Sequence, residues 1–110
     1  MAVLEIPTER SAMGFEEISV DATAIGFTQA EWRSAPGLNA RSAYVAVVTL
    51  TGTAGTNDIR WTVDGTTPTG TLGHILVAGD SLIIKGTGNI TKFRAIKDGA
   101  TAGTISVSYF

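Results

Sequence analysis

Few side chains in this 110-residue chain are suited to catalysis, since it has one histidine, His74, and no cysteine. A Ser-His-Asp arrangement needs a histidine that is held by a carboxylate and faces a hydroxyl. Asp80 and Ser81 lie near His74 in the sequence, but no serine has the surroundings of a nucleophile elbow. Without cysteine there is no thiol catalysis, thiolate zinc site or disulfide. A turn or strand-edge position is therefore the favoured interpretation of His74.

Paired carboxylates, which hydrolyse glycosidic bonds across a cleft, are not indicated either. Glu16 and Glu17 are adjacent, so on a strand they point to opposite faces. Asp58 and Asp64 bracket a strand pattern, in positions where aspartate caps backbone amides. A single histidine would need several convergent carboxylates to hold a metal ion. The sequence therefore predicts a protein that is not an enzyme, with no catalytic residue, metal or cofactor.

Two other patterns concern binding. Residues 86–89 (Gly-Thr-Gly-Asn) lack the ending of a phosphate-binding loop, and their place between two strand patterns predicts a hairpin turn. Lys92 and Arg94 have the period-two spacing of one strand face, which Arg60 can join. So few cations are more typical of a solvated β-surface than of a nucleic-acid-binding protein. These three cations are kept as candidate interaction residues.

Aromatic residues raise the alternative of a sugar-stacking platform formed by Trp32, Tyr44, Trp61 and Phe93. Trp61 alternates with polar residues on the apolar face of its strand, which predicts a core position. Trp32 follows residues 28–31 (Thr-Gln-Ala-Glu), whose spacing is that of a helix capping box. It is the better candidate for an exposed ring. Carbohydrate binding through Trp32 therefore stays open as an alternative function.

The elements that must position these residues are strands. Residues 43–50 form a continuous apolar, β-branched run, which is typical of a strand buried on both faces. Further strands are predicted over 59–64, 82–84, 90–96 and 105–109, and two short ones over 17–21 and 24–27. The pattern predicts an all-β fold over residues 1–110. It is a single antiparallel β-sandwich or small barrel of about seven strands.

Both ends of the chain are predicted to make contacts. Residues 1–16 have no clear period and are predicted to form an extended arm that orders against a partner. The last strand ends at Phe110 and is predicted at a sheet edge, where it can pair with a neighbouring copy. Residues 1–31 are acidic and residues 32–110 mildly basic, so the two parts can attract each other within one chain or between copies.

The composition favours assembly over the binding of charged partners. Charged residues make up 16% of the chain, against ~25% in typical soluble domains. Either hydroxyl residues and glycine cover the surface or part of it meets another subunit. The net charge of −2 offers no attraction to nucleic acid or anionic membranes. With no membrane-length apolar stretch and no signal peptide at the N-terminus, the chain is predicted to be made in the host cytoplasm and to stay soluble.

Four ordered segments resemble small all-β proteins encoded among the virion structural genes of tailed bacteriophages. They are residues 59–69 (Ile-Arg-Trp-Thr-Val-Asp-Gly-Thr-Thr-Pro-Thr), 73–82 (Gly-His-Ile-Leu-Val-Ala-Gly-Asp-Ser-Leu), 90–96 (Ile-Thr-Lys-Phe-Arg-Ala-Ile) and 105–110 (Ile-Ser-Val-Ser-Tyr-Phe). The resemblance covers about residues 43–110. The Asp-Gly-Thr-x-Pro-Thr turn alone also resembles β-sandwich appendages of chitin-degrading enzymes.

The phage resemblance implies a non-enzymatic particle component located in the virion, namely a head-decoration or capsid-stabilising (cement) protein. Its partners would be the major capsid protein, other virion proteins and further copies of itself, for example in a trimer. Modest contacts repeated around a symmetric assembly would hold it by avidity. The alternatives are a neck or tail component and a glycan-binding module. The resemblance assigns no catalytic residue, and the candidate interaction residues are Trp32, Arg60, Lys92, Arg94 and Phe110.

Overall fold

A computed structural model describes residues 11–33 and 41–110. The strands within these ranges are β1 (Gly14–Val20), β2 (Val45–Thr51), β3 (Ile59–Thr62), β4 (His74–Leu76), β5 (Ser81–Lys85), β6 (Arg94–Lys97) and β7 (Gly103–Tyr109). The helices are α1 (Gln29–Trp32) and α2 (Thr87–Lys92). The all-β prediction is confirmed. None of the helices found in this part of the chain has the length and apolar character needed to span a bilayer.

The strands form two antiparallel sheets. Sheet A has the order β1-β7-β2-β5, and sheet B has the order β4-β3-β6. Residues 45–48 of β2 are all buried, which confirms the strand predicted to be covered on both faces. In β7 the buried residues alternate with half-buried ones, as its period-two pattern predicts.

The core lies between the two sheets. Sheet A contributes inward residues from β1, β2 and β7, and sheet B contributes Ile59 and Ala95. Each large aliphatic side chain that is fully buried stabilises the fold by about 1.5–3 kcal/mol. Both helices also place one residue in this core, Trp32 from α1 and Ile90 from α2. Phe93 closes the core, and its ring stacks on Phe27 with 4.2 Å between the centroids.

The strand predicted over 90–96 is wrong in its first half. Residues 87–92 form α2, and the strand β6 begins only at Arg94. The hairpin predicted at 86–89 is wrong as well, because β5 and β6 belong to different sheets. Gly86 has a φ of +99°, which lets the chain leave β5 and enter the helix. The helix then turns Ile90 into the core, where it has no exposed surface.

The last strand is central and not at an edge. The strand β7 pairs with β1 on one side and β2 on the other, so the predicted edge position is wrong. The Phe110 N–H donates to the Val45 carbonyl at 2.8 Å, and the Phe110 carbonyl accepts from the Tyr44 N–H at 2.7 Å. The backbone that was expected to pair with a neighbouring copy is therefore already paired.

The described end of the predicted N-terminal arm belongs to a strand. Of the arm predicted over residues 1–16, residues 14–16 belong to β1, and residues 1–10 lie outside the described residues. The short strand expected over 24–27 is only an isolated bridge between Ile25 and Ala95. One exposed ion pair joins the acidic and basic parts within the chain, since the Lys97 ammonium lies 3.4 Å from the Asp21 carboxylate.

The helical turn predicted after Thr28 forms, but its capping box does not. The Thr28 side chain makes no capping hydrogen bond. Instead the Thr28 N–H donates to Glu16 Oε2 at 3.0 Å. The same carboxylate oxygen accepts from the Tyr109 hydroxyl at 2.5 Å. Glu16 of β1 therefore joins the start of α1 to the buried end of β7.

Candidate protein-interaction surface

The predicted sugar-binding platform does not form. Trp32 was expected to be an exposed ring, but it is only 7% exposed and lies in the core. The chain folds back over α1, and the Ala43 N–H donates to the Trp32 carbonyl at 2.7 Å. Phe93 is buried as well, while Tyr44 is more than half exposed. The four predicted aromatic residues are thus split between the interior and the surface.

The predicted basic stripe is only partly assembled. Lys92 lies in the last turn of α2 and Arg94 in β6, so the two do not share a strand face. Arg94 is paired across the strands with Thr62, which is two residues from Arg60. Arg60 and Arg94 therefore do share one face, the outer face of sheet B, where outer means turned away from the other sheet. Lys92 does not lie on this face, because it belongs to α2, which ends before β6 begins.

Arg60 is held in a fixed position on this outer face. Its Nε donates to the Asp98 carboxylate at 2.8 Å, and its Nη1 donates to the Gly73 carbonyl at 3.2 Å. Its direct cross-strand neighbours are Ile75 on β4 and Ile96 on β6. Gly73 has a φ of +126°, and an added Cβ would press on the backbone of β3. The guanidinium is therefore neutralised, ordered and flanked by two isoleucines.

A strip of exposed apolar residues borders Arg60 along the edge strand of sheet B. We define the β4 strip as Leu72, Ile75 and Val77, which are 50%, 53% and 37% exposed. Ile75 lies in β4, Leu72 lies just before the strand and Val77 follows it directly. The strand β4 has three residues and ends the sheet. Exposed apolar residues on an edge strand favour association with another chain. An ordered arginine among apolar side chains is typical of the centre of a protein–protein interface.

An open cleft of about 410 Å³ lies at one end of the β4 strip, lined by residues 62–64, 66 and 72–74. Gly65 has a φ of +91°, which confirms the Asp-Gly turn predicted from the sequence. The backbone N–H and hydroxyl of Thr66 hold the pKa of the Asp64 carboxyl below its usual value, so it is ionised at neutral pH. The Trp61 ring lies 4.8 Å from that of His74, between centroids. Asp64 and His74 thus line one cleft, and the Trp61 ring beside the imidazole packs against the core, as predicted.

The other candidate groups take structural positions. His74 lies on the edge strand β4, which confirms the strand-edge interpretation. Asp58 Oδ1 accepts the backbone N–H groups of Gly55 and Ala78, and so caps two turns as predicted. The residues described include no group of three His, Asp or Glu side chains able to hold a metal ion.

The β4 strip was missed by the sequence analysis. Residues 74–78 (His-Ile-Leu-Val-Ala) form an almost continuous apolar run, which by itself is typical of burial. The alternation of exposed Ile75 and Val77 with buried Leu76 becomes meaningful only once β4 is known to be an edge strand. Comparisons of the whole chain with protein-family models, with curated proteins and with solved structures found no match.

Proposed function

We propose that this chain is a non-enzymatic structural protein of a tailed-bacteriophage virion, of the head-decoration or capsid-stabilising type. The resemblance of residues 43–110 to small virion proteins supports the proposal, and the all-β sandwich is compatible with it. The observation that carries a protein–protein role is the β4 strip beside the ordered Arg60. The low fraction of charged residues, 16%, is consistent with a surface that is partly covered in an assembly.

The β4 strip suits a contact that is weak singly and strong when repeated. Full burial of one large aliphatic side chain stabilises by about 1.5–3 kcal/mol, so residues that are about half exposed offer roughly 1 kcal/mol each. The three together offer about 3 kcal/mol, whereas a micromolar complex needs ~8 kcal/mol. Several such contacts around a symmetric particle would act together through avidity. This is the behaviour expected of a capsid-stabilising protein.

Arg60 adds specificity to that surface. Its guanidinium is already ordered by Asp98 and Gly73, so a partner that contacts it loses little side-chain entropy on binding. Arginine in such a position is often one of the few residues that dominate the binding energy. A partner would place an acceptor near the guanidinium and apolar groups over Ile75.

The test is the occupancy of purified phage particles by variants of the chain. Replacing Ile75 by Asp puts a charge into the β4 strip, and we expect occupancy to fall by about tenfold or more, the equivalent of ~1.4 kcal/mol. Ser19→Asp, on an exposed position of β1, is the matched control and should bind as the wild type does. Quantitative mass spectrometry measures occupancy, and thermal unfolding checks that both variants fold. If the Ile75→Asp variant folds and occupies particles as the wild type does, the β4 strip is not part of the contact.

The cleft beside Trp61 favours a second candidate function, recognition of a glycan. The Asp64 carboxylate and the His74 imidazole, which line this cleft, can form hydrogen bonds to sugar hydroxyls. If this is its role, Asp64→Asn and His74→Ala should abolish binding to a glycan on a broad array, and Asp80→Asn should not. No binding by the wild-type chain across the array would eliminate this candidate.

A further inference from the structure

The strand β4 lies at a sheet edge and carries no charged residue. The edge strands of the described sheets are β1 and β5 in sheet A, and β4 and β6 in sheet B. Natural proteins protect such edges with charged side chains or with a covering segment, because an open edge pairs with other chains. The strand β4 lies within residues 65–79, a run that contains no Asp, Glu, Lys or Arg. It therefore lacks the first kind of protection.

The other three edge strands are protected in one of these two ways. The strand β1 carries the exposed Glu17, and β5 ends at the exposed Lys85. The strand β6 is covered by the chain itself, since the Ala95 N–H donates to the Ile25 carbonyl at 2.8 Å and accepts from the Ile25 N–H at its own carbonyl at 2.9 Å. Among the described residues, β4 pairs with β3 alone. The edge of β4 is thus the place where a further strand can be added.

We infer that β4 pairs with β4 of a second copy of the chain, antiparallel and about a twofold axis at Ile75. Ile75 is the middle residue of the three in β4, so this register overlaps the whole strand. In an antiparallel pair, directly opposite residues point to the same face of the sheet. Ile75 then lies opposite Ile75 of the second copy, and His74 lies opposite Leu76. Sheet B is extended across the axis into one continuous sheet.

The side chains that meet in this register are complementary. The two Ile75 side chains, each 53% exposed in the single chain, bury apolar surface against each other. Val77 comes opposite Gly73 of the second copy, because these residues directly flank β4. Gly73 has no side chain, and a Cβ added there would lie 3.2 Å from the Trp61 carbonyl oxygen. The exposed Val77 therefore meets an open position and not another side chain.

The pairing also lengthens the outer face of sheet B. Ile75, Arg60 and Ile96 are cross-strand neighbours and form one row over β4, β3 and β6. This row reaches the sheet edge at Ile75 and continues there into the row of the second copy. The Arg60 guanidinium is neutralised by Asp98 at 2.8 Å, so the two rows meet without charge repulsion. The inference rests on the protein–protein role proposed for the β4 strip, and it names a second copy as the partner at the strand edge.

Charge exchange at Ile75 tests the inference by sedimentation velocity of the free protein. We expect the wild type to form dimers as its concentration rises to ~1 mM, the range of a weak complex. Ile75→Asp and Ile75→Lys each set like charges opposite each other, so the dissociation constant should rise tenfold or more. An equimolar mixture of these two variants should associate more tightly than either alone, because opposite charges then face each other. Ser19→Asp and Ser19→Lys, on an exposed position of β1, are the matched controls and should dimerise as the wild type does. A monomeric wild type, or a mixture that associates no more tightly than its components, would overturn the inference.

A disulfide at the twofold axis gives a second test, because the chain has no native cysteine. Directly opposite residues have Cα atoms ~4.5–5.5 Å apart, which a disulfide spans. With a mild oxidant in dilute solution, Ile75→Cys should link two chains at least tenfold faster than Phe15→Cys, which is similarly exposed on the edge strand β1. Equal rates in the two variants would also overturn the inference.

The outcome of these tests is separate from that of the proposed function. Both measurements use the free protein, and thermal unfolding checks that every variant folds. A chain that dimerises through β4 but is absent from virions contradicts the proposed function alone. A chain that occupies virions but stays monomeric in solution contradicts this inference alone.

Discussion

The contact between Tyr109 and Glu16 makes the free energy of unfolding decrease at alkaline pH. Tyr109 is completely buried, and its hydroxyl donates to Glu16 Oε2 at 2.5 Å. Burial, followed by the hydrogen bond and the charge of Glu16, raises the pKa of Tyr109 far above its usual value. The folded chain therefore keeps this proton at pH values where an unfolded chain has lost it.

The sign and the size of the effect follow from proton linkage. Below pH ~10 tyrosine is protonated in both states, and the full stability is present. Above that pH only the unfolded state loses the proton, so the free energy of unfolding falls by about 1.4 kcal/mol per pH unit. At pH ~12 the loss from this one group, relative to neutral pH, amounts to about 2.7 kcal/mol.

Urea unfolding of the wild type and of Tyr109→Phe at a series of pH values measures this loss of the free energy of unfolding. At neutral pH we expect the variant to be less stable by about 1–2 kcal/mol, because it lacks the buried hydrogen bond to Glu16. The variant has no phenol to titrate, so the two stabilities should become equal near pH ~11. Tyr44→Phe, at an exposed position, should follow the wild type. A difference between wild type and Tyr109→Phe that stays constant from neutral to strongly alkaline pH would refute the reasoning.

Two further substitutions test other parts of the fold by urea unfolding. Trp32→Ala should lower the free energy of unfolding by about 3–5 kcal/mol because the indole fills the core, and an unchanged stability would mean that the ring is not buried. Asp58→Ala should cost about 1–3 kcal/mol, because its carboxylate accepts the amides of Gly55 at 3.1 Å and Ala78 at 3.0 Å. Asp80→Ala, at an exposed position, is its control, and equal losses in the two variants would contradict the capping role of Asp58.

The strands that the sequence predicted well are those whose burial does not depend on neighbours. The apolar run of β2 and the alternation in β7 indicate burial wherever these strands lie in a sheet. Strand order is not encoded in this way. The serines that alternate with apolar residues in β7 give the same pattern whether the strand lies at the edge or in the centre of a sheet. The central position of β7 depends on pairing with residues more than fifty positions earlier in the chain.

The error at α2 had a detectable signal. Ile90, Phe93 and Ile96 are spaced three apart, so Ile90 and Phe93 share one side of a helix but would point to opposite faces of a strand. The β-branched residues around them favoured the strand. The structure resolves the conflict by placing Ile90 on the helix and Ile96 on β6. In so short a segment the β-branched residues outweighed the helical spacing.

The candidate surface was predictable only in part. Arg60 was selected for its strand position, and the structure places it on an outer face, but its partner Asp98 is 38 residues away. The exposure of Ile75 and Val77 arises because sheet B stops at β4, which no local pattern indicates. Trp32 was misplaced because burial of α1 depends on its packing against β1 and on the return of the chain at Ala43.

The most direct test of the proposed virion role is quantitative mass spectrometry of purified tailed-phage particles from a source in which this chain is produced. The amount of the chain is referenced to that of the major capsid protein. The proposal predicts a copy number comparable with the number of capsid subunits, as repeated contacts on a symmetric shell require. Absence of the chain from purified particles would contradict the proposal.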